Sequence, residues 1–153
     1  MSVEQRLKEL KLDLPVPPKP VANYVPVVQV GDLLFLSGVL PSRDGQLIMT
    51  GKLGQGLSIE QGVEAARVAV LNGLSIIRSV TGSLDRVKQI VKMVGYVASG
   101  QGFTEQPQIL NGASDLLIAL FGEAGRHARV AVGAAELPRL APVEIELIVQ
   151  ITS

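Results

Sequence analysis

Residues 127 to 151, HARVAVGAAELPRLAPVEIELIVQI, carry the only histidine of the chain, an arginine at the head of an apolar run, and two glutamates alternating with aliphatic residues. These side-chain types can do chemistry near neutral pH. An imidazole changes charge there, a carboxylate can move a proton, and a guanidinium never gives up its own. Two readings are open for Arg129, Glu144 and Glu146. They are solvated or ion-paired groups on the outer face of an ordinary sheet, as most charged residues are, or they meet in a pocket. If 127–135 and 143–151 form a plain hairpin centred near Arg139-Leu140, Glu144 falls opposite Ala135. It then lies roughly six positions from Arg129, on the order of 20 Å at strand rise. Within one chain the two charges cannot easily touch. Across a subunit boundary they could, so a shared pocket would require an oligomer.

The elements that must position these groups follow from periodicity. Val3, Leu7 and Leu10 recur at helical spacing, so a short amphipathic helix opens the chain. LPVPPKP breaks it, because proline removes donors and fixes an extended backbone. NYVPVVQVGDLLFLSG reads as two strands about a Gly31-Asp32 turn, with Pro26 marking an edge. PSRDGQLIMTGKLGQG is a glycine-rich loop with a third short strand at Leu47 to Met49. Its Gly51, Gly54 and Gly56 form no phosphate loop and read as flexibility. Ser58 and Gln61 make a capping box for a long helix whose inner face is Val63, Ala66, Val70, Leu74 and Ile77. IVKMVGYVAS is a buried strand by its β-branched content. Thr104 is expected to cap a second helix, with Pro107 in its first turn, Ala113, Leu117 and Leu120 facing inward, and Gly122 and Gly125 ending it.

Two final strands complete the order β-β-(β)-α-β-α-β-β, which implies an α+β fold with two helices covering one sheet face. In the last strand Val143, Ile145, Leu147, Val149 and Ile151 point one way, and Glu144, Glu146, Ile148 and Gln150 the other. In the strand before it, Arg129, Ala131 and Gly133 share a face opposite Val130 and Val132. One face of each strand feeds the core. The other, small, polar and partly apolar, is left uncovered and suits a subunit contact; Arg129 is expected there, beside Ala131 and Gly133.

Composition narrows the function. The chain reads as one domain over 1–153, with 1–19 as an N-terminal helix and proline-rich extension. Formal net charge is zero, so no long-range field gathers nucleic acid or an anionic membrane. Aromatic residues are 3% of the chain, too few for a base-stacking platform. There is no cysteine and one histidine, which argues against thiolate catalysis and against a metal site. No apolar run is long enough to span a bilayer, and MSVEQRLKEL lacks a secretion pattern. A cytoplasmic protein without metal or organic cofactor, and without nucleic-acid or membrane partners, is expected.

ARVAVGAAELP followed by VEIE, together with SGVLP near the start, resembles the YjgF/RidA family, once labelled endoribonuclease L-PSP or translation inhibitors. The resemblance covers about residues 20 to 151, in the right order of elements. VANYVPVVQVGDLLFLSGVLP matches the family's N-terminal hairpin, and GFTEQPQILNGASDLL its second helix, with Asn111 at a position the family uses. No single motif is very specific; the ordered set is. The longer form, with KPVANYVP and LNGASDLL, is similar to a separate branch of the family.

The resemblance implies a chorismate-mutase-like α+β fold, a mixed β-sheet with two helices on one face, assembled as a homotrimer with clefts between neighbouring subunits. It also implies hydrolysis of reactive 2-imino and enamine acids to 2-keto acids and ammonia. The family's arginine falls on Arg129, as the clamp on a substrate carboxylate, and its glutamate on Glu144, to position or activate water. Its tyrosine falls on Tyr24, with Ser37 and Gly38 beside the ligand. Two departures stand out. The cysteine common two positions after the arginine is Ala131, which leaves only a backbone carbonyl there, and Val130 is apolar where polar residues are common. A small-carboxylate-binding trimer or interaction scaffold without turnover is the alternative, and an endoribonuclease the third. His127 precedes the motif and matches no catalytic position, so loop or interface packing is the simpler reading of it.

Overall fold

The computed structural model describes residues 1–19 and 22–153. Helix α1, Val3–Glu9, starts at a capping box between Ser2 and Gln5, and only Leu7 of it is buried. The expected Leu10 lies past its end, as the C-cap, and is exposed. Strands β1, Val27–Val30, and β2, Leu33–Leu36, pair antiparallel about Gly31, whose φ of 60° favours glycine.

The glycine-rich loop is more ordered than its composition suggests. Rather than one strand at 47–49, it holds β3, Ser42–Arg43, paired with β4, Gln46–Leu47. Asp44 and Gly45 both take positive φ between them, as a tight primed hairpin turn requires. A two-residue parallel pair, β5 at Lys52–Leu53 and β6 at Gly56–Leu57, follows.

Helix α2, Ile59–Thr81, begins at the expected Ser58–Gln61 box and stops at Gly82 in the left-handed conformation. Strand β7, Val87–Ala98, comes next, then helix α3, Gln106–Phe121. Thr104 does not cap α3. The cap position is Glu105, without a side-chain bond to the helix, while Pro107 does stand in the first turn. Gly122 ends α3, and Gly125 ends a separate 3-10 turn. Strands β8, Ala128–Ala134, and β9, Val143–Ile151, close the chain.

The sheet runs β1-β2-β9-β7-β8. Strand β8 is parallel to β7 and every other pair is antiparallel, so the sheet is mixed. This corrects the plain hairpin: β8 and β9 follow one another in sequence, but β7 lies between them. Helix α2 lies over β9, α3 over β7 and β8, and the two helices pack against each other. Their shared core is Leu74, Ile77, Met93, Leu110, Leu117 and Leu147 with their neighbours. Gly95 is required here. A methyl group on it would overlap the side chain of Leu110, so its absence lets α3 settle low on β7.

The opposite face is bare. Val28, Val30, Phe35, Val130 and Val132 are exposed on it, in line with Lys92, Glu144, Glu146 and Ile148. Among the described residues, no helix is long and apolar enough to cross a membrane.

Candidate functional site

Arg129 and the glutamates Glu144 and Glu146 belong to two separate clusters. Arg129 lies on β8, the last strand of the sheet, in register with Met93, whose side chain is fully buried under the helices. Arg129 therefore faces α3, with Ala131 and Gly133, while Val130 and Val132 occupy the bare face. That reverses the face expected from sequence. Alternation shows which residues share a side of a strand but not which side the helices cover.

Helix α3 holds the guanidinium from one end. Nη1 of Arg129 donates to Oδ1 of Asn111 at 2.9 Å and to Oγ of Ser114 at 3.1 Å. The two acceptors are three residues apart, hence on one helix face. Among the described residues, no carboxylate lies within ion-pair reach of Arg129, and its Nε and Nη2 make no hydrogen bond. Ser114 in turn lies 2.9 Å from Nε2 of His127, whose Nδ1 is 2.6 Å from the carbonyl of Gly125. Along the strand, Gly133 lacks a side chain where Gln106 Nε2 and Ser99 Oγ approach.

The second cluster is on the bare face, at the start of β9. Glu144 is half-buried, against Gly38, where any side chain would collide with its carboxylate. Burial pushes the Glu144 carboxyl above the usual carboxylate range, and the neighbouring Glu146 adds to the shift. Gly38 is fixed because Val39 next to it exchanges backbone hydrogen bonds with Ile145, at 2.8 and 3.0 Å. Ser37 donates to the carbonyl of Val25 at 2.6 Å. Tyr24, Ser37 and Gly38 line one small cavity together with Pro26, Val39 and Arg139.

Sequence reasoning missed Tyr96, which faces Glu144 across the β7–β9 ladder and donates to Oε1 of Glu146 at 3.4 Å. Burial and the two glutamates raise its phenol above the ordinary value. The signal was available: in VGYV, Val94 and Tyr96 alternate with the core residues Met93, Gly95 and Val97. Ser114 was missed as well, being one small hydroxyl within an apolar helix face.

Arg129, Asn111 and Ala131 thus come together, and Gly38 meets Glu144, but Tyr24, Ser37 and Gly38 share a cavity that Ile76 lines and Glu144 does not, and Arg129 and Glu144 do not meet within one chain. They project from opposite faces of the sheet, two strands apart. In register Arg129 is level with Leu147, three residues along β9 from Glu144. That is about 10 Å along the strands and about 10 Å across them.

This fold, with paired strands at one end and an arginine strand at the other, defines the class. Residues 4–148 match the family described as "YjgF/chorismate_mutase-like, putative endoribonuclease", and the chain belongs to that family. It is 44% identical over 152 residues to Protein TCP17 of Trypanosoma cruzi, covering 99% of this chain and 95% of that one. It is 29% identical over 140 residues to a 2-iminobutanoate/2-iminopropanoate deaminase of Dermatophagoides farinae, covering 92% and 94% of the two chains. Among solved structures, Atu1372 of Agrobacterium tumefaciens, a protein with unknown function, matches with a TM-score of 0.91 and 42% identity over 98% of this chain and 92% of that one.

Proposed function

We propose that the protein hydrolyses 2-imino and enamine acids to 2-keto acids and ammonia, in clefts between the subunits of a homotrimer. The observation that carries this reading is the state of Arg129. Its guanidinium is anchored at Nη1 by two neutral oxygens, while Nε and Nη2 form an edge with no anion on it among the described residues. That edge matches a carboxylate in a bidentate pair. The bare aliphatic face and the unpaired outer edge of β8 support assembly, since surface patches of this kind mark interaction sites. An assembly would also bring the Arg129 side of one chain to the Glu144 side of another. The cavity beside Tyr24, Ser37 and Gly38 is only about 60 Å³ in one chain, against roughly 300 Å³ or more for a ligand pocket.

In the proposed reaction Arg129 holds the substrate carboxylate and Asn111 keeps the guanidinium in place. Glu144, aided by Tyr24, takes a proton from water as the water oxygen bonds to the imine carbon. That proton passes to nitrogen, giving a carbinolamine; Glu144 then takes the carbinolamine hydroxyl proton and passes it to nitrogen as the C–N bond breaks, so that ammonia leaves and the keto group forms. A carboxyl held above its usual range is a better base than an ordinary one. The 29% identical deaminase supports this chemistry.

A second reading, a carboxylate-binding trimer without turnover, is favoured by Ala131, whose methyl group cannot handle protons at that position. An endoribonuclease gains no support from a chain of zero net charge with an aliphatic bare face. The deciding experiment generates imines in situ with an amino-acid oxidase and follows keto-acid release. Hydrolysis of alanine-, serine- or leucine-derived imines faster than the spontaneous rate is expected. No acceleration, with pyruvate still bound, would establish the second reading.

A further inference from the structure

The one histidine of the chain is built into the support of Arg129. His127 lies two residues before Arg129 on the approach to β8, and its Nδ1 faces the Gly125 carbonyl at 2.6 Å. A carbonyl can only accept, so Nδ1 carries the hydrogen. In the neutral ring Nε2 is then a bare acceptor, 2.9 Å from the hydroxyl of Ser114. Ser114 has one hydrogen to give and gives it to His127. Its oxygen lone pairs are left for Nη1 of Arg129 at 3.1 Å.

Ser114 is nearly buried within α3. A serine inside a helix ordinarily turns its hydroxyl back to the carbonyl four residues earlier. Here the imidazole draws it sideways, toward the strand. The carbonyl at the far end is also fixed. Gly125 lies so close to the backbone of Leu117 that any side chain would collide with it.

We propose that His127, acting through Ser114, is a positioning residue that sets the orientation of the Arg129 guanidinium, so that its Nε–Nη2 edge faces the ligand. This rests on the reading of Arg129 as a carboxylate clamp. The arrangement is directional: Arg129 donates to Ser114, Ser114 to His127, and His127 to Gly125. A second proton on the ring would put two cations on one hydroxyl oxygen.

The test uses the whole protein, and the single histidine makes its signals unambiguous. Long-range proton–nitrogen spectra of the wild type are expected to show the Nδ1–H tautomer, and pyruvate is expected to shift the Nε2 resonance. His127→Phe keeps a ring but no acceptor, and Ser114→Ala removes the link. Each should weaken pyruvate binding about three- to tenfold, part of what one charge-assisted hydrogen bond is worth. His127→Gln can place an acceptor near the Nε2 position and should recover most of the loss. The double variant should lose no more than Ser114→Ala alone, because His127 acts only through that hydroxyl.

An Nε2–H tautomer in the wild type would overturn the proposal. So would additive losses in the double variant, or wild-type affinity in folded His127→Phe and Ser114→Ala. If wild type binds no pyruvate, the clamp reading fails on its own account. The positioning role is then decided by the tautomer and by the Arg129 guanidinium resonances, which Ser114→Ala must move.

Discussion

Replacing Arg129 by alanine is the most informative single change. The side chain spends Nη1 on Asn111 and Ser114, and among the described residues Nε and Nη2 make no hydrogen bond. A bidentate carboxylate would make two charge-assisted hydrogen bonds there, each worth about 1.5–3 kcal/mol in favourable cases. Counting only one of them as net, because the ligand also loses its water, gives a loss of roughly ten- to hundredfold in affinity. The fold should survive. Asn111 is exposed and can bond to water, and Ser114 keeps His127, so the stability cost should stay under about 1 kcal/mol. Arg129→Lys keeps the charge but not the planar edge and should fall between wild type and Arg129→Ala. Calorimetry with pyruvate and 2-oxobutyrate measures the difference. Equal affinity in wild type and a folded Arg129→Ala would refute the carboxylate clamp.

Glu144→Gln should lose about 10²–10⁴ in turnover while still binding keto acids, as a missing general base does; a variant that turns over at the wild-type rate would remove Glu144 from the chemistry. The raised Glu144 carboxyl also gives a pH-dependent stability. The folded chain holds that proton after the unfolded chain has lost it. The contribution is therefore full below the ordinary carboxylate range and is lost as pH rises through the folded value. Urea unfolding from about pH 4 to pH 8 should show wild type losing stability relative to Glu144→Gln as pH increases; parallel curves would contradict the shift. Gly38→Ala must push the Glu144 carboxylate aside, so turnover should fall with little change in melting temperature, and unchanged turnover would place the working group elsewhere. Phe35→Asp, on the bare face, should dissociate the assembly in light scattering, and a wild type that is already monomeric at micromolar concentration would end the trimer proposal.

Much of this was legible in the residues. The Ser58–Gln61 box, the Gly31 turn and the alternation of β9 each follow from local rules with little tertiary override. What escaped was long-range. The connection from β8 to β9 passes through Leu137-Pro138 and then two successive residues, Arg139 and Leu140, with φ near 60°. It carries the chain over the end of β7 instead of turning back, and no local pattern announces that. The wrong face for Arg129 has a separate cause. Val130 and Val132 look like core residues by type, and Ala131 and Gly133 look like surface, but Leu110 pressing on Gly95 is what decides which side the helix covers. His127 matches no family position, and its contact with the support of Arg129 depends on a serine that only the fold brings near it.

The placement of the two clusters on opposite sides of the sheet has a genetic consequence. In the proposed homotrimer each cleft borrows its arginine from one chain and its glutamate from the next. A chain crippled at Arg129 and another crippled at Glu144 are then not equivalent failures. Dissociated and reassembled in equal amounts, two inactive preparations should regain roughly one quarter of the wild-type clefts, since that fraction pairs an intact Arg129 side with an intact Glu144 side. Each restored cleft would have a counterpart that is damaged twice over. Two defective alleles in one cell would thus complement each other, while either alone would yield only inactive clefts.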